Sequence, residues 1–286
     1  MKKSEHESRP VRKSMSLPLM ILSQVVLILL AVLIIYPLIF VLMTSFKSNY
    51  DVIMNPFGIK TFQPDNYVQA WKIGMIGQYF MNSVITTGIT LVTQMVVIIC
   101  ASYAFGKLRP WGSAVLEIVY MFGLFVTSEM ITIPNFVTLK AWGLGGTRLS
   151  LILPYVTNGL AMATFIMTAF VKSLPKELDE AAMIDGSGVI NNLIKITLPL
   201  MKPVIATVTI FNFQGTWSEF YWALIEVKKD AIKTLPLGLM NFQSQYNSEY
   251  GILCAGLMIA TLPVLLLYLR CSSYFIGGMT AGAVKG

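Results

Sequence analysis

The stretch that decides the fold is 175-PKELDEAAMIDGSGVINNLIKITLPLMKP-203, a polar segment lying between two strongly apolar ones. At helical spacing Leu174, Leu178, Ala181, Ala182 and Asp185 share one face, with Lys176, Glu177 and Glu180 elsewhere on the cylinder. Pro175 suits a first-turn position, and Glu177, Asp179 and Glu180 sit where the positive end of the helix dipole favours acids. Gly186 and Gly188 are expected to stop this helix. A second short apolar set, Ile190, Leu193 and Ile194, follows until Leu198-Pro199 is expected to end it. Helix, glycine corner and helix together make a rigid elbow. The small pair Ala181 and Ala182 gives it a shallow surface that another backbone could approach closely.

The chain around the elbow reads as a membrane protein. It has 286 residues, of which 55% are hydrophobic and only 12% charged, with a mean hydropathy of +0.68. A soluble domain carries about twice that charged fraction. Apolar runs suggest six spans, at about 17–46, 79–105, 114–137, 149–170, 203–225 and 251–270. The first is too long for a signal-peptide core and has no cleavage site after it. The fold class is therefore an all-α polytopic membrane protein with six transmembrane helices. A tail (1–16), a first span (17–46), an external loop (47–78), a core (79–270) containing the 171–202 loop, and a C-terminal tail (271–286) divide the chain.

Charge sets the expected orientation. Thirteen Lys and Arg fall on the side holding both ends and the 171–202 loop, and eight on the other. The positive-inside rule then puts both termini and the elbow in the cytoplasm of a cell-membrane protein. The net charge of +7 is spread over loops, so no nucleic-acid surface is implied. Membrane lipid is the expected surrounding.

Several chemistries are excluded. Cys100, Cys254 and Cys271 and the single His6 offer neither a disulfide framework nor metal-ligand spacing, so no metal site is expected. There is no phosphate loop: Gly106-Lys107 has Ala101 where the first glycine is needed and Leu108 after the lysine. No nucleophile elbow or H-E-x-x-H run occurs, and no catalytic residues are assigned. If ATP drives this protein, another chain must hydrolyse it.

Polar residues recur inside the spans: Thr86, Thr87, Thr90, Thr93 and Gln94 in the second, Glu129 in the third, and Asn212, Gln214, Thr216, Ser218 and Glu219 in the fifth. Such groups face other helices or water rather than lipid. A hydrated path and interhelical hydrogen bonding both remain open readings. The candidate path residues are Glu129, Asn212, Gln214, Trp217 and Glu219. Trp217, Phe220, Tyr221 and Trp222 are expected as an aromatic belt at the outer interface. Carbonyls freed by Pro134, Pro154 and Pro263 can line a cavity or bond neighbours.

The spacing Glu180-Ala181-Ala182, three residues, Gly186, nine residues, Ile196, one residue, Leu198-Pro199 resembles the EAA motif of ABC importer permeases. With the W-S-E-F stretch Trp217–Phe220 and the ending Tyr274-Phe275-Ile276-Gly277-Gly278-Met279-Thr280-Ala281-Gly282-Ala283-Val284-Lys285-Gly286, the chain is similar to permeases of carbohydrate-uptake importers, the maltose-type G subunit. Cys271-Ser272-Ser273 departs from the basic or amide residues common there. The resemblance implies a type I ABC importer permease fold and a non-catalytic subunit. It also implies a second homologous permease as heterodimer partner, two cytoplasmic ATPase subunits carrying ATP and Mg, and an extracytoplasmic sugar-binding protein. Glu180, Ala181, Ala182, Asp185, Gly186, Ile196, Leu198 and Pro199 would then couple to an ATPase, and Thr280, Ala281, Gly282 and Lys285 would reach between the ATPases. No cofactor is expected on this chain. The competing reading is a proton-coupled secondary transporter using Glu129 or Glu219.

Overall fold

The computed structural model describes residues 17–72, 74–242 and 249–283, with side chains as far as Cys271. Among these residues the chain is helical throughout, with no strand. Its first helix, α1 (Leu17–Thr44), is apolar on all sides and almost wholly exposed, as a span facing lipid should be. The connection after α1 holds two short helices, α2 (Asn49–Met54) and α3 (Asp65–Lys72). Then come α4 (Ile76–Tyr103), continued by a π turn at Ala104–Leu108, α5 (Ser113–Met121) and α6 (Thr132–Ala141). Next are α7 (Leu149–Thr157) and α8 (Leu160–Ser173). The elbow holds α9 (Glu177–Ile184), α10 (Val189–Asn192), a π turn at Leu193–Thr197 and α11 (Leu198–Leu200). It leads into α12 (Lys202–Trp217), α13 (Tyr221–Glu226), α14 (Leu235–Gly238) and α15 (Tyr250–Ala283).

Helix α4 is the centre of the bundle, packing on α7, α8 and α12, while α15 packs on α12, α3 and α1. Among the described residues three helices are each long and apolar enough to cross a membrane: Leu17–Thr44, Ile76–Leu108 and Tyr250–Cys271. The remaining expected spans are broken. The fourth bends by 43° between α7 and α8, where Gly159 takes a φ of +80° that a side chain would resist. The third is interrupted between α5 and α6, and the fifth at Ser218–Phe220. A 77° bend also separates Val189–Leu200 from Lys202–Glu226. Pro199 therefore does not end the elbow's second limb. It stands in the first turn of α11, where a missing N–H is tolerated, and the break falls at Met201 instead.

The connection between α1 and α4 is more than a polar linker. The Asp51 carboxylate accepts from Asn55 Nδ2, from the N–H groups of Lys60 and Thr61, and from Thr61 Oγ1. The Thr61 and Lys60 N–H bonds hold its carboxyl below the usual carboxylate range. Lys47 is buried, its ammonium donating to the carbonyls of Asn55 and Pro56. Asn66 is also buried and donates to the carbonyls of Ser45 and Lys47.

Burial of Asn66 bears on how topology should be measured. A cysteine there would break two hydrogen bonds and remain shielded, and Asn247 lies outside the described residues. Phe57, 77% exposed, is the better external probe, and exposed Asn191 the internal one. In a background lacking the native cysteines, Phe57→Cys should react with a membrane-impermeant maleimide on intact cells and Asn191→Cys only after lysis. The opposite pattern would invert the bundle.

Candidate functional site

The elbow is built by local chemistry. At the end of α9 the Ser187 N–H donates to the Ala182 carbonyl at 2.9 Å and the Gly186 N–H to Met183 at 3.0 Å, a Schellman closure. It needs a left-handed residue at Gly186, which has a φ of +73°. Gly188, read from sequence as part of the stop, instead caps α10 with extended geometry. The expected coupling residues divide by burial. Ala182 is buried against the bundle; Glu180, Ala181, Asp185, Gly186 and Pro199 are exposed; Ile196 and Leu198 are half-buried. Beside them stands an apolar knob of which sequence reasoning marked only Ile190 and Ile194: Ile184 is 86% exposed, Ile190 71% and Met183 67%, with Val189 and Ile194 exposed as well. Exposed Lys176, Glu177, Glu180 and Asp185 flank this knob, so it sits outside the hydrocarbon. An exposed apolar patch rimmed by charge marks a protein-docking surface.

The second region is a cavity of about 680 Å³. All three span breaks meet on it: Val126–Ile131 from the third span, Asn158 and Gly159 from the fourth, Glu219 from the fifth. Irregular backbone at membrane depth is tolerated where it is buried in protein or lines a watery cavity. Glu129 and Glu219, far apart in sequence, both line it. Their environments differ. Glu129 is exposed. Glu219 accepts from the N–H groups of Trp222 (2.6 Å) and Ala223 (3.3 Å), capping α13, and from Tyr155 Oη.

The other path candidates do not gather there. Asn212 stands beside the cavity wall, where a Cβ added to Gly159 would lie 3.2 Å from its Oδ1. Gln214 is exposed and outside the lining. Trp217 is buried in the core between α12, α4 and α15, packed on Phe80 and Phe213, its indole N–H donating to the Ala260 carbonyl at 3.0 Å. The aromatic belt is thus corrected: Trp217 and Trp222 are both buried, and of that group only Tyr221 is exposed. The reason lies partly in Pro154, which has no N–H for the Ser150 carbonyl; Trp222 Nε1 donates to that carbonyl at 2.9 Å instead. The second-span polar row splits likewise. Thr86, Thr87, Thr90 and Gln94 are buried, while Thr93 is exposed.

No group of three or more His, Cys, Asp or Glu suited to a metal occurs among the described residues. The side chains of Thr280, Ala281 and Gly282, and Lys285 as a whole, lie outside the described residues, although the α15 backbone runs on to Ala283.

Residues 98–272 match the family of the binding-protein-dependent transport system inner membrane component. The diacetylchitobiose uptake permease NgcG of Streptomyces coelicolor is 33% identical over 92% of this chain and 88% of its own length. The multiple sugar-binding transport permease MsmG of Streptococcus mutans is 32% identical, over 89% and 93% respectively. A crystal structure of a bacterial ABC transporter that imports the acidic polysaccharide alginate shares the fold, with a TM-score of 0.81 at 22% identity, covering 95% of this chain and 100% of that one. With its helical bundle, its EAA spacing and this match over most of its length, the chain belongs to the binding-protein-dependent transport system inner membrane components: it is a multi-pass, non-catalytic permease subunit of an ABC importer with the type I fold.

Proposed function

We propose that this permease imports sugars, oligosaccharides being the best fit to its relatives' cargo. It would pair with a second, homologous permease, receive cargo from an extracytoplasmic binding protein, and be driven by two cytoplasmic ATPase subunits that carry ATP and Mg. The carrying observation is the elbow: a fixed corner presenting an apolar knob in a polar rim, the form a helix takes to seat in a groove. Glu180 and Asp185 stand at its edge, where charge sets register and encounter more than affinity. The Lys and Arg bias supports a cytoplasmic position for both termini and the elbow. That the α15 backbone runs past the apolar span to Ala283 supports the reading that the segment holding Thr280, Ala281, Gly282 and Lys285 serves the ATPases.

The cavity is the proposed share of the translocation path, with Glu129 and Glu219 as its polar wall and Asn212 behind it. The proton-coupled alternative draws no support from this geometry, because the Glu219 oxygens already cap a helix and bind Tyr155. Purification of the tagged importer tests the docking surface. The ATPase should co-purify with the wild type, and Ile184→Arg, which puts a charge in the knob's centre, should cut its recovery about tenfold or more. Undiminished recovery would move the docking surface elsewhere.

A further inference from the structure

The elbow is tied to the foot of the central helix α4 by polar contacts. Lys107, in the π turn that ends α4, forms an ion pair of 2.6 Å with Asp179 on α9, their side chains only 9% and 18% exposed. The same Asp179 oxygen accepts from Asn192 Nδ2 on the elbow's other limb at 2.9 Å. Tyr103 Oη, one turn earlier on α4, donates to the Val189 carbonyl at 3.4 Å. One carboxylate therefore joins both limbs of the elbow to the foot of α4. Close to it, Gly106 lies so near α8 that an added Cβ would come within 2.5 Å of Val171 Cγ1. Both linking segments end in π turns, Ala104–Leu108 and Leu193–Thr197, a rare geometry that recurs at functional sites.

At its other levels α4 packs on α7, α8 and α12, whose breaks line the cavity. We infer that Lys107 and Asp179 are positioning residues for coupling: they pass displacement of the elbow to α4, and so to the cavity, while the apolar knob only seats the ATPase. This rests on the docking reading above. An ion pair shielded from water suits the task, because losing one partner strands a charge, so the two limbs and α4 move together or pay a desolvation penalty. The α8 end has its own pair, Lys172 with Glu117 at 2.7 Å, but those side chains are more exposed and that pair does not touch the elbow.

The test needs no knowledge of the cargo. Thr127 lines the cavity, and Thr127→Cys in a background lacking the native cysteines reports its accessibility. In the whole importer the labelling rate with an impermeant maleimide should change about tenfold between the nucleotide-free and ATP–vanadate-trapped states. Lys107→Ala and Asp179→Asn should each retain the ATPase on purification yet lose that change. The exchange Lys107→Asp with Asp179→Lys should restore most of it, Asn192 presenting its amide oxygen to the reversed charge. A normal change in Lys107→Ala, loss of the ATPase from it, or no restoration in the exchange would each overturn the inference. Failure of docking itself shows separately, as unaltered ATPase recovery by Ile184→Arg.

Discussion

Gly186→Trp should abolish ATP-driven uptake while leaving the permease inserted and folded. Two effects combine at this corner. The residue sits at φ +73°, where an L side chain costs about 1–2 kcal/mol, enough to loosen the closure that turns Ser187 back on Ala182. Among the described residues, and its two chain neighbours aside, nothing lies within 4 Å of a Cβ placed there, so the side chain leaves the corner into open space and meets whatever seats the elbow. Strain and obstruction separate with Gly186→Asn, since asparagine tolerates the left-handed region and is short. The asparagine variant should keep most of the uptake, measured with a radiolabelled sugar that wild-type cells accumulate, and the tryptophan variant almost none. Equal uptake by all three would mean that the corner touches no partner.

This corner was legible because its cause is local. Gly186 with Ala181 and Ala182 behind it fixes the closure within a few residues, and the apolar runs marked an all-helical membrane bundle with little need of tertiary information. What escaped a linear reading depends on distance in sequence. Lys107 and Asp179 are 72 residues apart, and nothing near either marks the other; each reads alone as a loop cation and a first-turn acid. The convergence of three span breaks on one cavity is likewise a property of packing. Trp222 is intermediate. Pro154 announces a free carbonyl at Ser150, and indole donors stand in the fifth span, so the bond between them was inferable as one option among several. The belt reading failed because it weighed the amphipathic ring and not the waiting acceptor. Of the path candidates, Glu129 and Glu219 meet on the cavity, while Trp217 serves as core, its N–H spent on Ala260.

Gln94→Leu should strongly destabilise the bundle while touching neither the elbow nor the cavity's acids. Gln94 is buried on α4, and its amide nitrogen donates to the carbonyls of Tyr155 and Asn158, both at 2.8 Å, and of Val156 at 3.4 Å. These oxygens belong to the last turn of α7 and the gap before α8, where the 43° bend deprives them of helical partners. All three partners are acceptors, so the amide orientation is fixed by chemistry. Leucine matches the volume but donates nothing. Leaving two close-bonded carbonyls unpaired should cost about 2–6 kcal/mol, a large share of the few to fifteen or so that hold a domain folded. In detergent the unfolding midpoint should fall by about 5–20 °C. Thr93→Leu, on the preceding residue, is the control: Thr93 is exposed and its hydroxyl donates to the Ile89 carbonyl of its own helix, so its loss should move the midpoint by no more than a degree or two. Asn158 also lines the cavity, which supplies the opposing outcome. If Gln94→Leu melts with the wild type, cavity water has taken over the carbonyls, and the break between α7 and α8 is a solvated joint rather than one held by α4.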